Sequence, residues 1–125
     1  MKKKFHPFLL NFVLIDCLFI GCIGPANLLK QAKNAEQKNK FDLAEEKYLK
    51  VIVKYPDSEF VPEAMYRIGL ICQKIKKDFS QSKVWFLQII NKYPESKFVK
   101  LAQVGLLESP DYYGLLDQNI IVLGD

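Results

Sequence analysis

The stretch Lys54-Tyr55-Pro56-Asp57-Ser58-Glu59-Phe60-Val61 returns 38 residues later as Lys92-Tyr93-Pro94-Glu95-Ser96-Lys97-Phe98-Val99. Six of the eight positions are identical and one of the others exchanges Asp for Glu. The same register pairs Phe41 with Phe79, Tyr48 with Phe86, Leu49 with Leu87 and Ile52 with Ile90. A period in this range, with an aromatic in mid-repeat and Tyr-Pro at its end, indicates stacked helical hairpins, each burying its apolar side against the next. Such a solenoid holds other proteins or peptides and rarely carries chemistry.

Working outward from the repeat, the hydrophobic spacing predicts five or six helices, the sixth a short one started by Ser109-Pro110-Asp111. The first covers 26–38, with Leu28, Leu29, Ala32 and Ala35 as its apolar stripe. The second covers 42–54 and presents Ala44, Tyr48, Val51 and Ile52, with Asp42 and Glu45 spaced to satisfy the free N–H groups at its start. Tyr55-Pro56 ends it, because a residue before proline avoids helical angles. The third covers 59–76 with Pro62 in its first turn, and its stripe is Ala64, Ile68, Ile71, Cys72 and Ile75. The fourth comes after a turn at 76–79, carries Ser82, Trp85, Phe86, Ile89 and Ile90, and stops at Tyr93-Pro94; the fifth covers 96–108. Tyr48 and Phe86, each seven residues after Phe41 or Phe79, are expected as equivalent core anchors. Trp85 is expected to pack on the neighbouring hairpin.

The N-terminus is of another kind. Lys2, Lys3 and Lys4 precede a mostly apolar run from Phe5 to Ile20, the outline of a secretory signal peptide. His6, Asn11 and Asp16 interrupt the run, which makes it a poor uncleaved membrane span, since that needs about 20 apolar residues. Gly21-Cys22 at its end resembles the lipobox of bacterial lipoproteins, although Phe19 and Ile20 stand where that motif usually has Leu and a small residue. The resemblance implies cleavage before Cys22 and diacylation of its thiol. The expected organisation is a signal peptide at 1–21, a lipidated tether at 22–25, a helical-repeat domain at 26–119 with repeats at about 26–57, 58–95 and 96–119, and an apolar tail at 120–125.

Removing residues 1–21 takes away three lysines and Asp16, leaving 15 basic against 13 acidic residues. A net charge of +2 is too mild for nucleic-acid binding, which uses a concentrated basic stripe. The lysines at 30, 33, 38 and 40 and at 74, 76 and 77 read as solvated faces and helix ends. Only Cys72 would remain as a free thiol; it is expected as a small buried hydrophobe, and no disulfide framework is possible. The single histidine, His6, falls in the leader, and no phosphate loop, metal spacing or nucleophile motif occurs. The reading is therefore a non-enzyme without cofactor or metal.

The residues also carry a family resemblance. Phe41, Ala44, Tyr48, Val51 and Pro56, and again Phe79, Ser82, Phe86, Ile89 and Pro94, have the spacing of the second helix and terminal proline of a tetratricopeptide (TPR) repeat. Met65-x-x-Ile68-Gly69 resembles the signature of a TPR first helix, where Gly lets helices approach closely. The fold implied is an all-α, TPR-like helical-hairpin solenoid of about two and a half repeats. The Tyr-Pro-x-Ser-x-Phe junction, behind a lipobox, is similar to that of the BamD family of outer-membrane lipoproteins in the β-barrel assembly machinery. The coordinator of the Tol–Pal system carries similar junctions. In the BamD family the N-terminal repeats are associated with unfolded barrel substrates and the C-terminal repeats with docking to BamA, so both are implied partners. Those proteins usually have five repeats.

A TPR groove is lined by the first helices of the hairpins. Leu29, Lys33, Tyr66, Arg67, Leu70, Gln73 and Lys74 are therefore the implied partner-binding residues, at outward positions. The segment after Ser109-Pro110-Asp111 is apolar: eight of the twelve residues from Tyr112 to Leu123 are large apolar or aromatic. Disordered tails are polar and charged, so this segment is expected either to fold back over the end of the solenoid or to dock on a partner. The expectation is thus a lipid-anchored scaffold at the outer membrane, facing the periplasm. The alternatives are an envelope adaptor of Tol–Pal or cell-wall processes and a structural surface lipoprotein.

Overall fold

The computed structural model describes residues 23–110, so the leader, Cys22 and the segment from Asp111 onward lie outside the described residues. Five α-helices succeed one another: α1 Pro25–Gln37, α2 Phe41–Lys54, α3 Val61–Leu70, α4 Phe79–Lys92 and α5 Phe98–Leu107. Between α3 and α4 the helix continues as a π-helical segment, Ile71–Lys76. Neighbours in sequence pack on one another, α1 on α2, α2 on α3, α3 on α4 and α4 on α5, and α3 also touches α5. That is a stack of two helical hairpins with α5 packed against the second.

The core is drawn mainly from the predicted stripes, joined by Val61 and Ala102, which no stripe included. Ala32, Ala44, Tyr48, Val51, Val61, Ala64, Ile68, Phe86, Ile89 and Ala102 are completely buried. Tyr48 and Phe86 are the two largest of the fully buried side chains, one per hairpin. The Phe86 ring lies between two glycines: a Cβ built on Gly69 would stand 2.5 Å from its Cε1, and one on Gly105 2.5 Å from its Cε2. The close approach expected at Gly69 is present, and Gly105 closes the other side of the same ring. Cys72 is buried as expected, and burial pushes its thiol pKa up. Trp85 packs partly buried against the core.

The two copies of the Tyr-Pro junction fold into the same turn. The N–H of Tyr55 donates to the Val51 carbonyl at 3.0 Å, and that of Tyr93 to Ile89 at 2.9 Å. Ser58 N–H donates to the Tyr55 carbonyl at 3.0 Å, and Ser96 to Tyr93 at 2.9 Å. The serine hydroxyls then accept from the Phe60 and Phe98 N–H groups, both at 3.2 Å. The repeated serine is thus a turn former that satisfies backbone donors before the next helix.

Two expectations at the helix ends need correction. The third helix is not α-helical through Lys76, and Ile75 is not in the core but 48% exposed, while Gln73 is 3% exposed. The cause is one extra residue. Ala35 and Phe41 are six apart, whereas their counterparts Cys72 and Phe79 are seven apart. The closing hydrogen bonds carry the difference: Lys40 N–H reaches the Ala35 carbonyl at 2.9 Å and Asp78 N–H the Cys72 carbonyl at 2.8 Å. The π-helical segment absorbs the additional residue, as single π turns inside α-helices do, and rotates the side chains beyond it. Both hairpin turns then use a left-handed residue, Asn39 and Lys77, each at φ 57°.

The second correction concerns the start of α2. Asp42 lies within the first turn instead of capping it; Lys40 occupies the cap position with no side-chain bond, and Glu45 pairs with Lys76 across the hairpins. The equivalent cap of α4 is Asp78, whose carboxylate accepts from the Gln81 N–H at 3.0 Å. Copying it into the first repeat as Lys40→Asp should raise unfolding stability by about 1 kcal/mol. A rise in the urea midpoint at constant m-value checks this; an unchanged or lowered midpoint contradicts it.

Candidate protein-binding groove

The first helices α1 and α3 place Lys33, Glu36, Glu63 and Arg67 together because each pair recurs at helical spacing, three or four residues apart on one face. Lys33 pairs with Glu63, and Arg67 Nη1 lies 3.5 Å from Glu36 Oε1. The other oxygen of Glu36 accepts from the Tyr48 hydroxyl at 2.7 Å. Burial, reinforced by this hydrogen bond to the carboxylate, holds the Tyr48 phenol far above its ordinary pKa. The core anchor of the first hairpin therefore ends in the charged network of the groove. Beside it opens a pocket of about 350 Å³ lined by Lys33, Glu36, Gln37, Asn39, Phe41 and Arg67.

Of the seven residues expected in the groove, Lys33 and Arg67 line this pocket. Lys74 is exposed at the far end and bonds Glu108, the residue just after α5, at 2.7 Å. Tyr66 is half-buried, its ring centroid 5.9 Å from Phe86 and 5.6 Å from Phe98, so most of its face packs within the stack. Leu70 packs partly buried on the core. Two placements are corrected. Leu29 is 5% exposed, because α1 turns both members of Leu28-Leu29 toward the core. Gln73 is buried by the π-helical rotation, where its Nε2 donates to the Gly105 carbonyl at 2.7 Å. That bond ties the second hairpin to α5 beside the glycine that abuts Phe86.

Glu36, Gln37, Asn39 and Phe41 are groove residues that the sequence reading misses. Glu36 and Gln37 stand at i+3 and i+4 from Lys33, a signal available in the sequence. Asn39 and Phe41 join through the turn, which spacing on a helix does not reveal. The arrangement offers paired charges, amide groups and one aromatic edge, features that suit a polypeptide. Among the described residues no three His, Cys, Asp or Glu side chains converge as a metal site.

The Tyr48 hydroxyl can be tested alone. Tyr48→Phe keeps the ring and removes a hydrogen bond to a carboxylate, so it should cost about 1.5 kcal/mol in urea unfolding. A variant as stable as the parent would mean that the network contributes nothing to the hairpin.

The tetratricopeptide repeat pattern matches residues 26–58 and 63–96, one copy on each hairpin. The chain belongs to the tetratricopeptide repeat family. No curated protein and no solved structure matches it. As a TPR protein it is an interaction scaffold for other proteins, and its family is generally non-catalytic. The matched copies end at residue 96, so α5 lies beyond the second repeat.

Proposed function

We propose that this TPR protein is a lipid-anchored scaffold of the bacterial cell envelope, a short BamD-like component in the assembly and insertion of outer-membrane β-barrel proteins. The observation that carries the reading is the junction: two Tyr-Pro-x-Ser-x-Phe segments with matching turn hydrogen bonds, in a chain that opens with a Lys-rich apolar leader ending in Gly21-Cys22. Cys22 is the lipid attachment point in this reading. The Tyr55 hydroxyl donates to the Ile23 carbonyl at 2.8 Å, so the first junction holds the residue directly after that cysteine. A tether fixed there would present the groove in a set orientation to the outer membrane, on its periplasmic side. No helix among the described residues is long and apolar enough to cross a membrane. In this reading the acylated Cys22 provides the attachment. Unfolded barrel substrates would occupy the groove at Lys33 and Arg67, and BamA would be the docking partner.

Affinity purification from detergent-solubilised membranes tests this reading. The expected result is BamA in the eluate, with the scaffold itself labelled by fatty acid and Cys22→Ala unprocessed and unlabelled. Recovery of Tol–Pal or peptidoglycan factors instead would move the protein to a different envelope process. Recovery of neither would leave a structural lipoprotein.

A further inference from the structure

The rungs that join α1 to α3 recur between α3 and α5, which touch each other. Residues of α1 return on α3 after 37 positions, as Ala35 does at Cys72, and residues of α3 return on α5 after 38, as Val61 does at Val99. In this register Glu36 corresponds to Gln73 and Arg67 to Gly105. The structure keeps that rung: the Glu36–Arg67 ion pair has its counterpart in the bond from Gln73 to the Gly105 carbonyl. The neighbouring rung changes its chemistry. Lys33 and Glu63, which pair across α1 and α3, correspond to Leu70 and Leu101. Leu70 is half-buried and Leu101 is 44% exposed, so the groove is ionic at its α1–α3 end and aliphatic at its α3–α5 end.

We infer that the groove takes an extended polypeptide segment with an acidic side chain at the α1–α3 rung and a large apolar one at the α3–α5 rung. This rests on the scaffold reading of the groove and specifies its ligand. At the ionic rung the cations are the outer partners: the Lys33 and Arg67 side chains are 38% and 35% exposed, against 16% and 23% for Glu63 and Glu36. Arg67 also keeps donors in reserve, because its one ion pair is long at 3.5 Å and its buried Nε–H has no partner. A guanidinium in that state suits a further carboxylate. At the other rung an apolar ligand side chain would cover Leu101 and remove its surface from water. The spacing fits an unfolded chain. Packed helices lie about 8–10 Å apart, so successive rungs do as well. A polyproline-II segment rises about 3.1 Å per residue with three residues per turn, so residues i and i+3 share a face about 9 Å apart.

The test is fluorescence anisotropy of the full chain, purified in detergent, with two capped Ser/Thr peptides. Each carries one Glu and one Phe three residues apart, in opposite orders. In the tighter of the two, exchanging Glu for Gln, exchanging Phe for Ser, or moving Phe next to Glu should each weaken binding about fivefold or more. Arg67→Gln should erase the difference between Glu and Gln and keep that between Phe and Ser. Leu101→Ser should do the reverse. Circular dichroism checks that each variant is folded, and Lys33→Gln replaces Arg67→Gln if the latter is not. Binding of neither peptide overturns the inference, and so does binding indifferent to the Glu and Phe exchanges. Preferences that both protein variants leave unchanged overturn it too, since the peptide would then lie elsewhere. The assembly role is judged separately by BamA recovery, which leaves the peptide result as it stands.

Discussion

Phe86→Ala should destabilise the protein by about 3–5 kcal/mol, the usual cost of truncating a buried aromatic. Single domains are held by roughly 5–15 kcal/mol in total, so the variant should retain at most a fraction of its folding free energy. The upper part of the range applies because of what surrounds the ring. Phe86 is completely buried and is flanked by Gly69 of α3 and Gly105 of α5. Neither glycine has a side chain that can swing into the vacated space, so the cavity collapses only by movement of helix backbones. Tyr48→Ala should approach the same effect in the first hairpin and in addition strand the Glu36 carboxylate. Urea unfolding of the chain from residue 22 onward, monitored by circular dichroism, measures both. Midpoints within a few tenths molar of the parent would show that these aromatics are not the anchors of the stack.

The second large effect runs the other way in volume. Gly69→Ala and Gly105→Ala each place a methyl group 2.5 Å from a Phe86 ring carbon, and the ring is held from both sides. Overpacking of this kind typically costs about 1–3 kcal/mol. Combining the two should exceed either alone, because the ring cannot retreat from one methyl without meeting the other. The diagnostic result is the rescue: Phe86→Leu should recover part of the loss in Gly69→Ala, although on its own it destabilises. A double-mutant cycle in urea reads this as a coupling of opposite sign to the single effects. Purely additive costs would mean that the glycines serve local backbone conformation and not the approach of helices to the ring.

These residues also mark how far the fold is legible in the sequence. Tyr48, Phe86 and the two Tyr-Pro junctions can be read because a repeat states each requirement twice, at the same 38-residue offset. The π-helical segment cannot, because second-helix positions keep that offset while Ala35 and Cys72, on the first helices, are 37 apart. A one-residue difference between two periods is lost when a single period is fitted. Its consequences, Ile75 outside and Gln73 inside, oppose what polarity alone would assign. Polarity prevails at Lys33 and Arg67, where the groove needs charged side chains. It holds at Leu29 too: the outward assignment fails there, because the residue is as buried as its neighbour Leu28. Gly105 escapes notice because it does not occupy the repeat-equivalent position of Gly69: 38 residues beyond that glycine stands Leu107.

Site-specific photo-crosslinking in intact envelopes tests the central claim, that the groove between α1 and α3 receives envelope proteins. A crosslinker replacing Arg67, at the edge of the pocket shared with Lys33 and Phe41, should yield adducts with unfolded β-barrel precursors, while the same group at Lys83, on α4, should not. Adducts from position 83 and none from position 67, or a position 67 that captures only Tol–Pal or peptidoglycan factors, would contradict the account.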